Sequence, residues 1–445
     1  MTTLRIGNCS GFYGDRFSAM REMIEGGPLD VLTGDYLAEL TMLILGRDQL
    51  KDASLGYART FARQAEDCLG LAVERGVRLV ANAGGLNPSG LAARLGEIAA
   101  AQGLSPSIAY VDGDDLRPLA PQLGLGTDAL TANAYLGGFG IAAALSGGAD
   151  VVVTGRVTDA SLVVGPAVAH FGWTPTSYDA LAGAVVAGHV LECGTQATGG
   201  NFSGFLSMVS AGSAGATGSG GSTGSADRPL GFPLVELADD GSCVVSKHAG
   251  TGGMVSIDTV TAQLMYEIQS TRYLGPDVTT HLDSIELADA GPDRVRISGV
   301  RGSAPPEQLK VCVNELGGYR NSVEFVLTGL DIDAKAAWLR RQLEPQLGAT
   351  SVTWGLAGRA TEDADTEEGA SMLLRCVVQD PSPDPVGRAF SNAAVELALA
   401  SYPGFTMTAP PGAGTPYGVY RAEYVDRSAV TQTVHHADGR TETVS

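Results

Sequence analysis

The sequence predicts an α/β fold: a parallel sheet covered by helices on both faces, followed by a smaller α+β domain. Three observations carry this. Short β-branched runs alternate with longer segments of helical periodicity through the first half of the chain. The centres of these runs are mainly apolar, as in buried strands. From about Thr259 the alternation gives way to hairpin-like pairs of strands.

Taken in order, the runs are "LRIGNCS" at Leu4, "LDVLTGD" at Leu29, "VRLVANAGG" at Val77, "SIAYVDGDD" at Ser107 and "ADVVVTGR" at Ala149. Between them, helical spacing predicts helices over "GYARTFARQAEDCLGLAVERG" from Gly56 and "GLAARLGEIAAAQG" from Gly90, with Gly76 and Gly103 as stops. Strand–helix–strand repetition of this kind builds a parallel sheet. Another helix enters near Ser177 and stops at Gly194. The tract of Gly, Ser, Ala and Thr at about 210–229 carries too little apolar surface to offset its ordering and is expected as a flexible loop. The first domain is expected over 1–258 and the second over 259–445. In the second, "VTAQLMYEIQS" reads as a helix and "HLDSIELADAGPDRVRISGV" as a hairpin turning at "AGPD". Strands "LKVCVNEL" and "SVEFVLTG" follow, then helices over "DIDAKAAWLRRQLEPQLG" and "VGRAFSNAAVELALASYP". "EDADTEE" from Glu362 reads as a solvated acidic loop.

Composition narrows the function classes. The 445 residues carry a net charge of −20, which opposes non-specific binding to a phosphate backbone but leaves room for a small anionic ligand. No apolar run approaches the roughly 18 residues that cross a bilayer, and "MTTLRIGNCS" lacks the features of a signal peptide. The expected compartment is the cytoplasm. The six cysteines are scattered, without CxxC or zinc-ribbon spacing. Walker, GxGxxG, GxSxG and HExxH patterns are absent, so no cofactor is required by motif.

Ligands of parallel sheets bind beyond the carboxyl ends of the strands, and each of the five runs ends in small and polar residues. Asn8, Ser10 and Arg16 follow the first; Asp35, with Glu39 four residues on, follows the second; Asn82, Gly84 and Gly85 follow the third; Asp112, Asp114 and Asp115 the fourth; Arg156, Thr158 and Asp159 the fifth. Together they predict one polar crevice, with glycines admitting a ligand close to the backbone. Asp35 reads either as a functional carboxyl or as a helix N-cap. Arg156, straight after three valines, needs an anion: a substrate carboxylate or phosphate, or internally Asp159 or Asp15. In "GHVLECGTQATGGNFSG", Glu192 is a candidate general base and His189, three residues earlier, a proton shuttle. Cys193 is either a nucleophile or an inert thiol. Asn201 lies in a glycine turn, and in "SKHAGTGGMVS" Lys247 and His248 precede a second one, Gly250 to Gly253 with Gly252 inside it, a pattern suited to an anion.

The chain resembles the acyclic terpene utilisation (AtuA-type) family. The resemblance rests on "IGNCSGFYGDR", "GPLDVLTGDYLAELTM", "VANAGGLNP", "TANAYLGGFGIAAALSGGADVVVTGRVTDASL", "GHVLECGTQATGGNFSG" and "KHAGTGGMVS", in order across most of residues 4 to 330. It implies a bacterial catabolic enzyme whose relatives occur beside acyl-CoA enzymes in the breakdown of citronellol-like terpenes and branched acids. The Gly/Ser tract departs from the family pattern and reads as a loop insertion.

The expectation that follows is an enzyme of branched 3-hydroxyacyl-CoA or enoyl-CoA, working by lyase or hydratase chemistry. Asp35, Asp159, Glu192 and His189 are the candidate catalytic residues. Asn8, Ser10, Arg16, Asn82, Gly84, Gly85, Arg156, Thr158, Asn201, Lys247 and Gly252 are the candidate substrate contacts. A divalent metal on several carboxylates could serve as Lewis acid. A thioesterase or acyl transferase using Glu192 or Cys193 as nucleophile, and a non-catalytic ligand-binding subunit of a catabolic complex, are the alternatives. The partner is a small molecule, an acyl-CoA thioester, with neither nucleic acid nor membrane, and a homo-oligomer is expected on size.

Overall fold

The structure is a computed structural model that describes residues 3–206, 208, 228–361 and 363–444. All five expected strands form: Leu4–Asn8 (β1), Val31–Gly34 (β2), Arg78–Ala81 (β3), Ile108–Asp112 (β4) and, after the short strand Thr131–Ala134 (β5), Val151–Thr154 (β6). They pair in parallel in the order β1-β2-β3-β6-β4. The fold is mixed α/β, and its large sheet is mixed rather than parallel. Antiparallel strands Pro233–Leu237 (β7) and Cys243–Lys247 (β8) extend it beyond β1, and Gln432–His435 and Thr441–Val444 extend it beyond β4. Apolar runs predicted only that strands were buried on both faces. The direction of the flanking strands depends on connections that no run encodes.

Helices cover both faces of the parallel stretch. Consecutive residues of a strand point to opposite faces, and the cores divide accordingly. Val151 and Val153 join Leu79 and Ala81 in a core with Ala19–Gly26 (α1), Arg59–Arg75 (α3) and Pro88–Ala101 (α4). Val152 joins Ile6 and Val80 in the opposite core with Phe139–Ser146 (α5), Ser161–Phe171 (α6) and Tyr178–Glu192 (α7). α3 ends where expected, with Gly76 in the left-handed conformation at φ 65°. The helix Glu39–Lys51 (α2) begins four residues after Asp35, so its N-cap is Ala38 and the capping reading of Asp35 falls away.

The chain divides into two compact units, residues 1–314 with 420–445 and residues 315–419. The point expected as a boundary, after residue 258, lies inside the first unit. The helix Ile257–Leu264 (α8) packs on α7, and the expected hairpin, Glu286–Asp289 (β11) and Val295–Ser298 (β12), adds to the large sheet through β8. Arg272–Leu274 (β9), Thr279–His281 (β10) and Arg301–Ser303 (β13) make a separate three-stranded sheet. The two runs expected as separate strands form one element, Gln308–Thr328. In the second unit, strands Ser351–Ala357 and Ser371–Asp380 and helices Ile332–Leu343 and Arg388–Glu396 enclose a core around Phe325, Leu339, Leu374 and Phe390. Most of the tract expected as a flexible loop, and Glu362 of the acidic loop, lie outside the described residues. Among the described residues no helix is long and apolar enough to cross a membrane.

Candidate active site

The four candidate catalytic residues come together at the carboxyl ends of the parallel strands. β6 does not stop at Thr154: Val157 bridges in parallel to Leu136, the Leu136 N–H donating to the Arg156 carbonyl and the Thr158 N–H to the Leu136 carbonyl. This pairing carries the chain past the sheet edge with Arg156 turned inward. Its guanidinium is almost fully buried, donating from Nη1 to the Leu37 carbonyl and to Asp159 Oδ1, both at 2.8 Å. It lies 4.4 Å from the centroid of the Tyr135 ring, a placement that favours a desolvated cation. Arg156 therefore holds an internal carboxylate, the second of its two expected roles.

Around this cation stand more carboxyls than it can neutralise. Asp35 is buried and accepts from Asn82 Nδ2 at 2.6 Å and from the Leu37 N–H at 3.1 Å. Burial, and then the charge of Asp159, push its pKa well above the usual carboxylate range against the pull of Arg156. Asp159 keeps 31 % of its side chain exposed. Burial of the carboxyl and the charges of Glu192 and Glu39 outweigh Arg156, and its pKa is pushed up to about 7. Such a carboxyl both gives and takes a proton near neutrality.

The last turn of α7 supplies the second acid–base pair. His189 Nδ1 and Glu192 Oε1 are 2.8 Å apart, with 4 % and 9 % of their side chains exposed. Burial disfavours the imidazolium, but the Glu192 carboxylate outweighs it, and the His189 pKa is raised. Among the described residues His189 Nε2 and Glu192 Oε2 have no hydrogen-bond partner. Gln263 of α8 fixes this turn by donating to the His189 carbonyl at 2.9 Å.

The other expected contacts divide sharply. Asn8 and Asn82 are strand-end ties rather than free donors. Asn8 Nδ2 donates to the carbonyls of Ser10 at 2.9 Å and Leu191 at 2.7 Å, joining β1 to the end of α7. Asn82 bridges Asp35 and the Tyr36 N–H. Ser10 donates to the Phe12 carbonyl, and Thr158 shares a hydrogen bond with Ser161. Arg16 is paired with Glu22 and the Leu230 carbonyl, Lys247 with Asp293 and the Thr251 carbonyl. Asn201 is exposed and bonded to Gln196, and Gly252 pairs with the backbone of Pro229 and Gly231. The glycines admit protein, not ligand. A Cβ on Gly84 would overlap the Thr154 carbonyl, and one on Gly85, at φ 54°, the Leu45 side chain.

Sequence reasoning missed three side chains here. Tyr135 donates to Glu39 Oε1 at 2.7 Å, and Lys310 Nζ lies 4.9 Å from the Tyr135 ring centroid and 3.9 Å from Glu39. Burial would raise the pKa of Glu39, but the Tyr135 hydroxyl, Arg156 and Lys310 hold it below its usual value. Tyr273 packs against His189, ring centroids 5.5 Å apart. Lys310 and Tyr273 arrive from strands far along the chain, and no local pattern marks them. Burial pushes the Cys193 thiol pKa up to about 12. Among the described residues no group of three His, Cys, Asp or Glu side chains is placed to hold a metal ion.

Carboxyls and one imidazole thus cluster at the carboxyl edge of a mixed α/β sheet. The model of the acyclic terpene utilisation family protein AtuA matches residues 4–436, and the chain belongs to that family. Membership implies a role in acyclic terpene catabolism. No curated protein and no solved structure matches the chain.

Proposed function

We propose that the protein acts on a branched 3-hydroxyacyl-CoA or enoyl-CoA thioester by lyase or hydratase chemistry. The observation that carries this is the carboxyl of Asp159, poised near pH 7 against Arg156 and beside the Glu192–His189 pair. In carbon-chain cleavage, Asp159 takes the proton of the 3-hydroxyl and the C2–C3 bond breaks. Its electron pair passes to the thioester as an enolate, C3 leaves as a carbonyl, and His189 returns a proton to C2. In hydration, water adds to C3 as Asp159 takes its proton, and the enolate is protonated at C2 in the same way. Both routes need two proton-transfer groups of different basicity, which general acid–base catalysis exploits. Arg156 tunes these carboxyls and is too enclosed to grip a phosphate.

The raised thiol pKa of Cys193 weighs against an acyl-enzyme on sulfur. The test is incubation of the purified protein with branched 3-hydroxyacyl- and enoyl-CoA thioesters, followed by mass spectrometry. Chain cleavage identifies a lyase, a gain or loss of water a hydratase, and free CoA with intact acid a thioesterase. Thioesters that all survive unchanged would overturn the reading in favour of a binding subunit.

A further inference from the structure

The proposed chemistry places negative charge on the thioester oxygen, and none of the groups discussed so far is a free neutral donor. Asn8 and Asn82 are consumed by the backbone and by Asp35. Tyr273 is different. Its ring is half-buried on β9, set against the His189 imidazole at 5.5 Å between centroids with the planes 45° apart. Among the described residues its hydroxyl has no hydrogen-bond partner. On β10, directly opposite in register, Thr280 is fully buried and its hydroxyl is unpartnered too. His189 Nε2, nine-tenths buried, is the third polar atom without a partner where α7 packs on β10. Buried polar groups are nearly always paired, so the unpaired Thr280 hydroxyl and His189 Nε2 beside the Tyr273 ring mark a place where polar groups of a ligand complete the structure.

We propose that the Tyr273 hydroxyl donates the hydrogen bond that carries the substrate's carbonyl oxygen through its enolate, with His189 beside it delivering the proton to carbon. This rests on the thioester reading above. The charged groups that act on the phenol are Glu192, Asp159 and Glu267, which keep it protonated along with its burial, and Arg156, which opposes them. A neutral phenol is the required form, because a phenolate donates nothing. The preference for a developing charge over a resting carbonyl makes such a donor a catalytic rather than a binding group.

The test is Tyr273→Phe in the full-length protein, which keeps the ring on His189 and removes one oxygen. On a thioester that the wild type converts, kcat falls about 10²–10³-fold with KM within a few fold. Acetoacetyl-CoA, whose enolate absorbs in the near ultraviolet, gives a readout without turnover: the wild type binds it with the enolate band and Tyr273→Phe binds it without. Thermal melting and near-ultraviolet circular dichroism matched to wild type establish that the variant is folded. An unchanged enolate band and kcat in a folded variant would overturn the role of Tyr273 and leave the thioester reading standing. Failure of the wild type to bind acetoacetyl-CoA or convert any thioester would overturn both.

Discussion

Asp159→Asn is expected to stabilise the folded protein above neutral pH and destabilise it in acid. The carboxyl moves from an ordinary value of 3.8 to about 7 on folding. Protonation therefore contributes stability that is fully present below pH 4 and is lost as the pH rises through 7. At 1.36 kcal/mol per unit the full shift is worth about 4 kcal/mol. With 31 % of the side chain exposed, solvent screening reduces this to about 3 kcal/mol. Against it stands the hydrogen bond at 2.8 Å from Arg156, whose weakening costs about 1–2 kcal/mol at any pH. The amide does not titrate. The variant is then about 1–2 kcal/mol less stable than wild type at pH 4 and about 1–2 kcal/mol more stable at pH 8. Calorimetric unfolding of both proteins from pH 4 to 8.5 reads the crossing directly. A loss of stability that grows with pH would refute the reasoning, since it is the signature of a carboxylate with a depressed pKa, held only as an ion-pair partner of Arg156.

Three further outcomes follow from the same geometry. Where a substrate is found, kcat is expected to change through a group titrating near pH 7 and to fall at least about 100-fold in Asp159→Asn, as measured by a pH–rate profile of both proteins. Asn82→Ala removes the donor to Asp35 and the acceptor of the Tyr36 N–H; it should cost about 2–3 kcal/mol in chemical unfolding and move the pH dependence of turnover, whereas a loss below 0.5 kcal/mol would contradict the tie described here. Cys193→Ala should leave turnover within a few fold and native Cys193 should resist iodoacetamide at pH 7.5. Rapid, inactivating labelling of that residue would restore the nucleophile reading.

The strands were legible in the sequence because a triplet such as Val151–Val153 contributes to both cores at once, and only a doubly covered strand can do so. The meeting of Asp35 and Asp159 was legible for a related reason: parallel strands deliver their carboxyl ends to one edge, whereas His189 and Glu192 reach it from the end of α7. What failed was the assignment of small and amide residues. Asn8 and Gly84 look like ligand contacts locally, yet their partners are the Leu191 and Thr154 carbonyls, which only the tertiary fold brings near. Glu39 carried a local signal, four residues from Asp35, while Tyr135, Tyr273 and Lys310 depend on strand registers that a linear reading does not contain.

The bond from Asn8 to the Leu191 carbonyl spans 183 residues of chain. During synthesis the N-terminal strand emerges long before its partner exists. The five parallel strands are all made by residue 154, but the tie from the Asn8 side chain waits for the end of α7. Fragments ending before Glu192 thus carry a sheet without its second acid–base pair. The proposed acid–base edge therefore cannot be complete until the chain has been made through Glu192, well after the strands that precede Asp35 and Asp159.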